Sequence, residues 1–219
     1  MHLKFRQLSY CLIIIIISVF RVDLYASDLT DIFLITDKII MIRFDDGYIK
    51  HYGYHETSDD CVTYNYPVNL EDAVKTETYL IFSPDDLSYS DPLHPVQIGR
   101  KSKGHDFSRK CKWTGSMCDN DYISEHFIYL VLPYPMQDGK KYVIHTGNLA
   151  FNKDADSLVF DITRVRSDAI HVNQSGFHPD AAQKFAYISC WMGDLGPLGL
   201  DGYEGTAFHI IDLSDGSVA

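Results

Sequence analysis

Basic side chains are scarce in this sequence of 219 residues. Lysine and arginine together number 19 against 30 aspartates and glutamates, which leaves a formal net charge of -11 at pH 7. A surface with this excess of negative charge repels the phosphates of nucleic acids and of anionic lipids. We therefore expect neither nucleic acid nor a membrane surface as a partner.

Motifs of several enzyme classes are also missing. The sequence holds no Gly-x-Ser-x-Gly elbow and no glycine-rich phosphate loop. Adjacent carboxylates occur at Asp45-Asp46, Asp59-Asp60 and Asp85-Asp86. Neighbours on a strand point to opposite faces, and in turns such residues more often cap backbone amides than act as a catalytic pair. No catalytic residue is predicted in this chain.

Clusters of metal ligands are equally lacking. There is no Cys-x-x-Cys, and among the ten histidines only His51/His55 and His105/Asp106 come near to a ligand pair. A metal site normally needs three or four ligands, and neither pair has further ligands close by in the sequence. We predict no metal site and no cofactor.

A helical period is almost absent as well. Short β-branched and aromatic runs alternate with turn clusters, which is typical of a β-sandwich. The runs 38–44 and 48–52 flank Asp45-Asp46-Gly47. They predict a β-hairpin whose turn places Gly47 at a positive φ. One short helix, capped by Asn69, is expected at 69–76. The predicted strands are the runs 38–44, 48–52, 78–83, 95–99, 125–132, 142–146, 158–163, 184–189 and 206–213.

The one long apolar run is too short to cross a membrane. Lys4 and Arg6 precede an uncharged stretch at 12–20, and the small residue Ala26 stands before Ser27-Asp28. A bilayer span takes roughly 20 residues, whereas a charged start, a short apolar stretch and a small residue are typical of a secretory signal peptide. We expect residues 1–26 to be such a signal and the protein to be secreted, periplasmic or on the cell surface.

Cysteines are few, and four of them follow the expected signal: Cys61, Cys111, Cys118 and Cys190. Export places them where disulfides persist. Because Cys111 and Cys118 bracket the short loop 112–117, a disulfide between these two is expected. For Cys61 and Cys190 the sequence leaves two alternatives open, a second bridge or buried thiols.

The last quarter of the chain resembles a known family. The run 170–179, Ile-His-Val-Asn-Gln-Ser-Gly-Phe-His-Pro, is followed by Lys184-Phe185-Ala186 and later by the run 208–216. This segment resembles the opening of the immunoglobulin-like N-terminal domain of family 9 glycoside hydrolases, where Val-Asn-Gln-x-Gly-Tyr-x-Pro and a Lys are typical. The matching positions, with Phe177 where Tyr is usual, are Val172, Asn173, Gln174, Gly176, Phe177, Pro179 and Lys184.

The resemblance implies a function for the whole chain. In that family the module packs on an (α/α) barrel that carries the catalytic carboxylates, and the family's Asp-Ala-Gly-Asp motif is absent here. The resemblance thus implies the non-catalytic N-terminal region of a secreted, cellulase-like glycoside hydrolase, whose catalytic domain lies in cis beyond Ala219. Whether the chain has any activity of its own stays open.

The expected organisation combines this resemblance with the strand pattern. Residues 27–163 are predicted to form an N-terminal β-sandwich domain of immunoglobulin-like or fibronectin-like type. Residues 164–219 are predicted to be the truncated start of a cellulase-type immunoglobulin-like domain, so that the fold class is all-β with two sandwich domains in tandem. In the motif at 172–179, the side chains of Asn173 and Gln174 are suited to form hydrogen bonds with backbone groups at the end of a strand. Gly176 is suited to a left-handed turn.

Aromatic residues suggest an alternative function. The chain has 15 tyrosines and 12 phenylalanines, and exposed rings are typical of sugar-binding faces. A carbohydrate-binding or adhesion module is therefore the alternative, with polysaccharide as the partner and Trp113, Tyr52 and Tyr54 as candidate contacts. The same rings are equally typical of sheet cores and cross-strand pairs. An exposed planar row would favour sugar binding, whereas buried rings would leave a structural spacer.

Overall fold

The computed structural model describes residues 27–52, 61–111, 118–212 and 214–218. Over these residues the prediction of an all-β protein is confirmed. One short helix, α1 at Leu70–Ala73, and four single 3-10 turns accompany the strands. The strands are β1 Asp28–Thr36, β2 Ile39–Asp45, β3 Gly47–His51, β4 Cys61–Asn65, β5 Leu80–Phe82, β6 Gln97–Cys111, β7 Cys118–Val131, β8 Lys140–His145, β9 Ala155–Phe160, β10 Ile170–Val172 and β11 Ala186–Ile188. The expected signal peptide lies outside the described residues.

Antiparallel pairing organises these strands into four sheets. The strand orders are β1-β2-β7-β6, β5-β8-β9, β3-β4 and β10-β11. Side chains from the first two sheets enter one shared core, because alternate residues of each strand point to the same side. Its members include Ile40, Ile42 and Phe44 of β2, Ile128 and Leu130 of β7, Ile81 of β5, and Tyr142 and Ile144 of β8.

The chain passes from one sheet to another at Asp46. The predicted hairpin across Asp45-Asp46-Gly47 is wrong, because both edges of β2 are already paired, with β1 and with β7, while β3 pairs with β4. Gly47 does have the predicted positive φ, at 136°. A Cβ at Gly47 would collide with the carbonyl oxygen of Tyr64. Glycine therefore permits the close approach of β3 and β4.

The short helix begins where the sequence predicts. Asn69 Oδ1 accepts hydrogen bonds from the backbone N–H groups of Glu71 and Asp72, at 3.1 and 3.2 Å. Such a cap satisfies amides that have no partner inside the helix. Ala73 is buried, and its carbonyl accepts a hydrogen bond from the Tyr79 hydroxyl at 2.8 Å. The helix is thus fixed at both ends.

The strands β6 and β7 form a hairpin much longer than the sequence predicts. Their register runs without a change of partner from Gln97 opposite Val131 to Cys111 opposite Cys118, with one irregularity at Gly104/Asp106. The far half packs against β3 and β4 through a small separate core of Ile49, Cys61 and Ile123. This second core holds the β3–β4 pair in place.

The segment after residue 164 packs partly on the four-stranded sheet. Its buried side chains Ala169, Met192 and Leu198 belong to a cluster with residues of β1, β2 and β7. Strand β11 lies within the run predicted as a strand at 184–189, and it pairs with β10, which was not predicted as a strand. The strand predicted at 206–213 is wrong, since only a single bridge, between Ile211 and Val218, involves it among the described residues.

Candidate functional site

One side of the β3–β4 pair carries a group of exposed aromatic rings. Ile49 and Cys61 point into the small core, so their neighbours along each strand point away from it. The register places Tyr48 opposite Tyr64 and Lys50 opposite Val62. We call this surface the tyrosine face: Tyr48, Lys50, Tyr52, Val62 and Tyr64.

Two rings of the tyrosine face are stacked on each other, and the third lies beside a lysine. The Tyr48 and Tyr64 rings stack at a centroid distance of 4.9 Å with an angle of 21° between their planes. Tyr48 is 52% exposed and Tyr52 is 57% exposed. Lys50 Nζ lies 4.8 Å from the centroid of the Tyr52 ring, within cation–π distance. The face thus offers ring surfaces and one cation to solvent.

The phenol of Tyr52 favours the charged form of Lys50. A hydrogen bond with Tyr52, together with its charge, raises the pKa of Lys50. The negative charge that Tyr52 would carry raises the pKa of Tyr64, and burial acts in the same direction. Lys50 therefore carries a positive charge on this face at neutral pH.

Of the three residues predicted to contact a sugar, one lies among the described residues. Tyr52 lies on the tyrosine face, whereas Trp113 and Tyr54 lie outside the described residues. The sequence did not indicate Lys50 or Val62, since their position depends on a register that pattern alone does not fix. A second exposed aromatic pair, Phe107 and Tyr122, occurs on β6 and β7 with ring centroids 5.2 Å apart.

The run from Val172 to Lys184 begins on β10 and forms the connection to β11. Asn173 Oδ1 accepts a hydrogen bond from the Ser175 backbone N–H at 3.0 Å, and Gly176 has a φ of 78°. The predicted turn at the end of the strand is confirmed for these two residues. Val172 pairs with Ala186 across the hairpin, and Lys184 Nζ donates to the Pro179 carbonyl at 3.1 Å.

Many large apolar side chains of residues 170–210 are exposed to solvent. Every residue of β10 and β11 is exposed, although strands of a folded module normally bury one face. The register places Ile170, Val172 and Ile188 on one side of the β10–β11 pair and Tyr187 on the other. We call the exposed large apolar side chains on both sides, together with those that follow them, the apolar C-terminal surface; their exposed fractions range from 44% to 78%, and they are Ile170, Val172, Phe185, Tyr187, Ile188, Trp191, Phe208 and Ile210.

A cleft lies between the apolar C-terminal surface and the four-stranded sheet. It has a volume of about 590 Å³, and Lys101, Tyr129, Cys190 and Trp191 are among its lining residues. Burial raises the pKa of the Cys190 thiol. The thiol therefore stays protonated at neutral pH, which makes it a poor nucleophile.

The structure also brings together a polar network that the sequence did not indicate. Ser102 Oγ lies 2.7 Å from His126 Nδ1, and His126 Nε2 lies 2.9 Å from Asp46 Oδ2. Asp46 Oδ1 also accepts a hydrogen bond from the Val68 backbone N–H at 2.9 Å. His126 and Asp46 are buried. Because Asp46 contacts both His126 and Val68, the network connects the corner between β2 and β3 to β7.

A second carboxylate pair behaves as the sequence predicts for a turn. Asp86 is buried, and its carboxylate accepts hydrogen bonds from the Ser88 backbone N–H at 2.9 Å and the Tyr142 hydroxyl at 2.6 Å. Burial alone would raise the pKa of Asp86, but these hydrogen bonds outweigh it and the pKa is lowered. Asp86 is a structural cap.

For the expected Cys111–Cys118 disulfide, the structure describes the backbone of the two cysteines. Cys111 and Cys118 are directly opposite in the β6–β7 register. Their side chains lie outside what is described. Cys61 and Cys190 form no disulfide among the described residues, and Cys61 Sγ lies 3.3 Å from His51 Nδ1.

Within the described ranges, no group of three or more His, Cys, Asp or Glu side chains is placed to hold a metal ion. None of the described helices has the length and apolar character of a membrane span. Comparison of the chain with protein-family models, with curated protein sequences and with solved structures finds no match in any of the three.

Proposed function

We propose that this chain is a non-catalytic accessory region of a secreted polysaccharide-degrading enzyme, and that it supports a glycoside hydrolase catalytic domain in cis. The observation that carries the proposal is the apolar C-terminal surface, which we assign to contact with that domain. The resemblance to the family 9 N-terminal module involves the same segment, because its motif begins at Val172 on β10, and Val172 also belongs to this surface.

The energetic argument rests on the size of the exposed side chains. Large apolar side chains are usually buried in a folded module, whereas the apolar C-terminal surface exposes the rings of Phe185, Tyr187 and Phe208 and the indole of Trp191. Burial of apolar area stabilises a contact by roughly 25 cal/mol per Å². A folded domain seated on this surface would therefore gain substantial free energy.

The proposal includes two finer points about the fold. Residues 27–163 are assigned to an immunoglobulin-like or fibronectin-like sandwich, an assignment supported by the core that two antiparallel sheets share. The residues from 164 onward are assigned to a second module of immunoglobulin-like type, supported by the hairpin that carries the motif. The catalytic carboxylates are assigned to the docked domain, and the compartment to the cell exterior or periplasm.

The first test is the gene sequence downstream of the Ala219 codon. An open frame that continues into a helical domain with an Asp-x-x-Asp pair is expected. A stop codon directly after Ala219 would contradict docking in cis.

A binding measurement then tests the surface itself. With the catalytic domain prepared as a separate polypeptide, Phe208→Ser should weaken its association with this chain in sedimentation velocity experiments. Phe151→Ser is the matched control, because Phe151 is equally exposed but lies outside the apolar C-terminal surface. Equal weakening by both substitutions would argue against a specific contact.

A further inference from the structure

The tyrosine face is not needed for the core of the strands that carry it. The opposite side of β3 and β4 already buries Ile49 and Cys61 against Ile123. Tyr48 and Tyr52 are each more than half exposed, so their rings add little to that core. Large rings held in mutual contact on a surface are a feature of binding sites, where they offer a rigid contact area at low entropic cost.

The chemistry of the tyrosine face selects the class of ligand. The C–H groups on the face of a pyranose ring pack flat against an aromatic ring, and the phenol hydroxyls can exchange hydrogen bonds with sugar hydroxyls. Because the Tyr48 and Tyr64 rings stack at a centroid distance of 4.9 Å, each covers one face of the other and leaves one face for a ligand. A sugar ring can extend this stack on the free face of Tyr48, which is 52% exposed.

The charge of the tyrosine face further restricts the class of ligand. On the outward side of the described β3–β4 pair, Lys50 is the only charged side chain, in a protein whose formal net charge is -11. Distant charges are screened beyond roughly 8 Å at physiological ionic strength. Two nearby carboxylates, Asp106 and Asp121, are engaged with the Ile49 N–H and the Thr63 hydroxyl. Lys50 is therefore the charge that a ligand on the outward side meets directly, and it complements a carboxylate.

We propose that the tyrosine face binds a polysaccharide whose sugars carry carboxylates, that is, a uronic acid-containing glycan. One sugar ring stacks on Tyr48 or Tyr52, and Lys50 pairs with the carboxylate of that sugar or its neighbour. The inference rests on the proposed function in that it names the polymer to which the accessory region would attach its enzyme.

The test is calorimetric titration of the whole chain with polygalacturonate and with a neutral soluble β-glucan. Polygalacturonate should bind, and Tyr52→Ala should weaken it roughly three- to tenfold. Lys50→Gln should weaken binding of polygalacturonate and reduce its dependence on salt, while leaving any binding of the neutral glucan unchanged. Tyr122→Ala is the matched control, since Tyr122 is equally exposed on β7.

Several results would overturn the proposal. These are no binding of polygalacturonate, equal losses with Tyr122→Ala and Tyr52→Ala, or a preference for the neutral glucan that Lys50→Gln does not alter. Circular dichroism of each variant distinguishes loss of the ligand from loss of the fold. Association with the catalytic domain through the apolar C-terminal surface is measured separately, so that failure of glycan binding leaves the docking test intact.

Discussion

Asp46 and Gly47 occupy the point where the chain leaves the four-stranded sheet and enters the β3–β4 pair. Asp46 makes the change of direction possible because its side chain accepts hydrogen bonds from Val68 and lies within hydrogen-bond distance of His126. Gly47 makes it possible because it has no Cβ to meet the backbone of Tyr64. Each of the two residues is therefore expected to be sensitive to substitution for its own reason.

Removing the Asp46 carboxylate should destabilise the protein strongly. Asp46→Ala leaves the buried His126 ring and the Val68 amide without this acceptor, and a buried polar group left without its partner costs roughly 1 to 3 kcal/mol. Ser102→Ala should cost less than about 1 kcal/mol, because Ser102 is exposed and water can replace its hydroxyl. Urea unfolding at pH 7 measures both. Equal losses would show that the network is not organised around Asp46.

Replacing Gly47 should be costly although the change is small. Gly47→Ala places a Cβ against the Tyr64 carbonyl at a φ of 136°, and we expect a loss of roughly 2 kcal/mol or more. Gly104→Ala is the control, because nothing lies within 4 Å of a Cβ at that position. Thermal unfolding of the two variants provides the comparison. A Gly47→Ala variant as stable as Gly104→Ala would contradict the steric argument.

At the scale of elements, the β6–β7 hairpin is the largest departure from the sequence pattern. The sequence predicted strands only at 95–99 and 125–132, where apolar residues dominate. The run 100–106, Arg-Lys-Ser-Lys-Gly-His-Asp, has no apolar alternation, so its extended state depends on pairing with β7 and contact with β3. Local propensity does not contain this information.

Other elements also show which parts of the fold local sequence patterns predict and which parts they do not. Strands with a clear apolar alternation, such as β2 and β8, were predicted nearly to their ends. The strands β1 and β4 were not predicted. The hairpin at Asp46 was wrong because pairing partners are set by the whole sheet. For the tyrosine face, the sequence indicated Tyr52 but not the side that it shares with Tyr48 and Tyr64, which follows from the register of β3 and β4.

The far end of the β6–β7 hairpin leads to a prediction about its cysteines. Directly opposite residues of an antiparallel pair have Cα atoms about 4.5 to 5.5 Å apart, which lies within the range of disulfides. We expect Cys111 and Cys118 to be linked and to contribute roughly 2 to 3 kcal/mol. Non-reducing peptide mapping by mass spectrometry should find the linked pair. Alkylation of both thiols in the native, unreduced protein would show that no bridge forms.

At the scale of the whole molecule, the main core contains several buried tyrosines. Tyr79, Tyr89 and Tyr142 are almost fully buried there, and Tyr129 is buried on the other side of β7. Burial raises the pKa of each of the four, that of Tyr89 to about 12. The neutral phenol is therefore favoured in the folded protein more than in the unfolded chain.

The buried tyrosines should make the protein sensitive to alkali. Their pKa values are raised on folding, so their contribution to stability is complete below about pH 10 and is lost as the pH rises from 10 to 12 and beyond. Absorbance at 295 nm during an alkaline titration should show a late phase of phenol ionisation that coincides with loss of the circular dichroism signal. Complete ionisation while the dichroism stays native would contradict this prediction.

The apolar C-terminal surface also has a consequence for how this chain behaves in solution by itself. Mutual electrostatic repulsion keeps separate copies apart at neutral pH, and this repulsion vanishes near the isoelectric point of about 5.2. The exposed rings and aliphatic side chains of 170–210 then meet with no opposing force. Mild acid thus gives the isolated chain a solubility minimum, and a domain that covers these side chains would remove it.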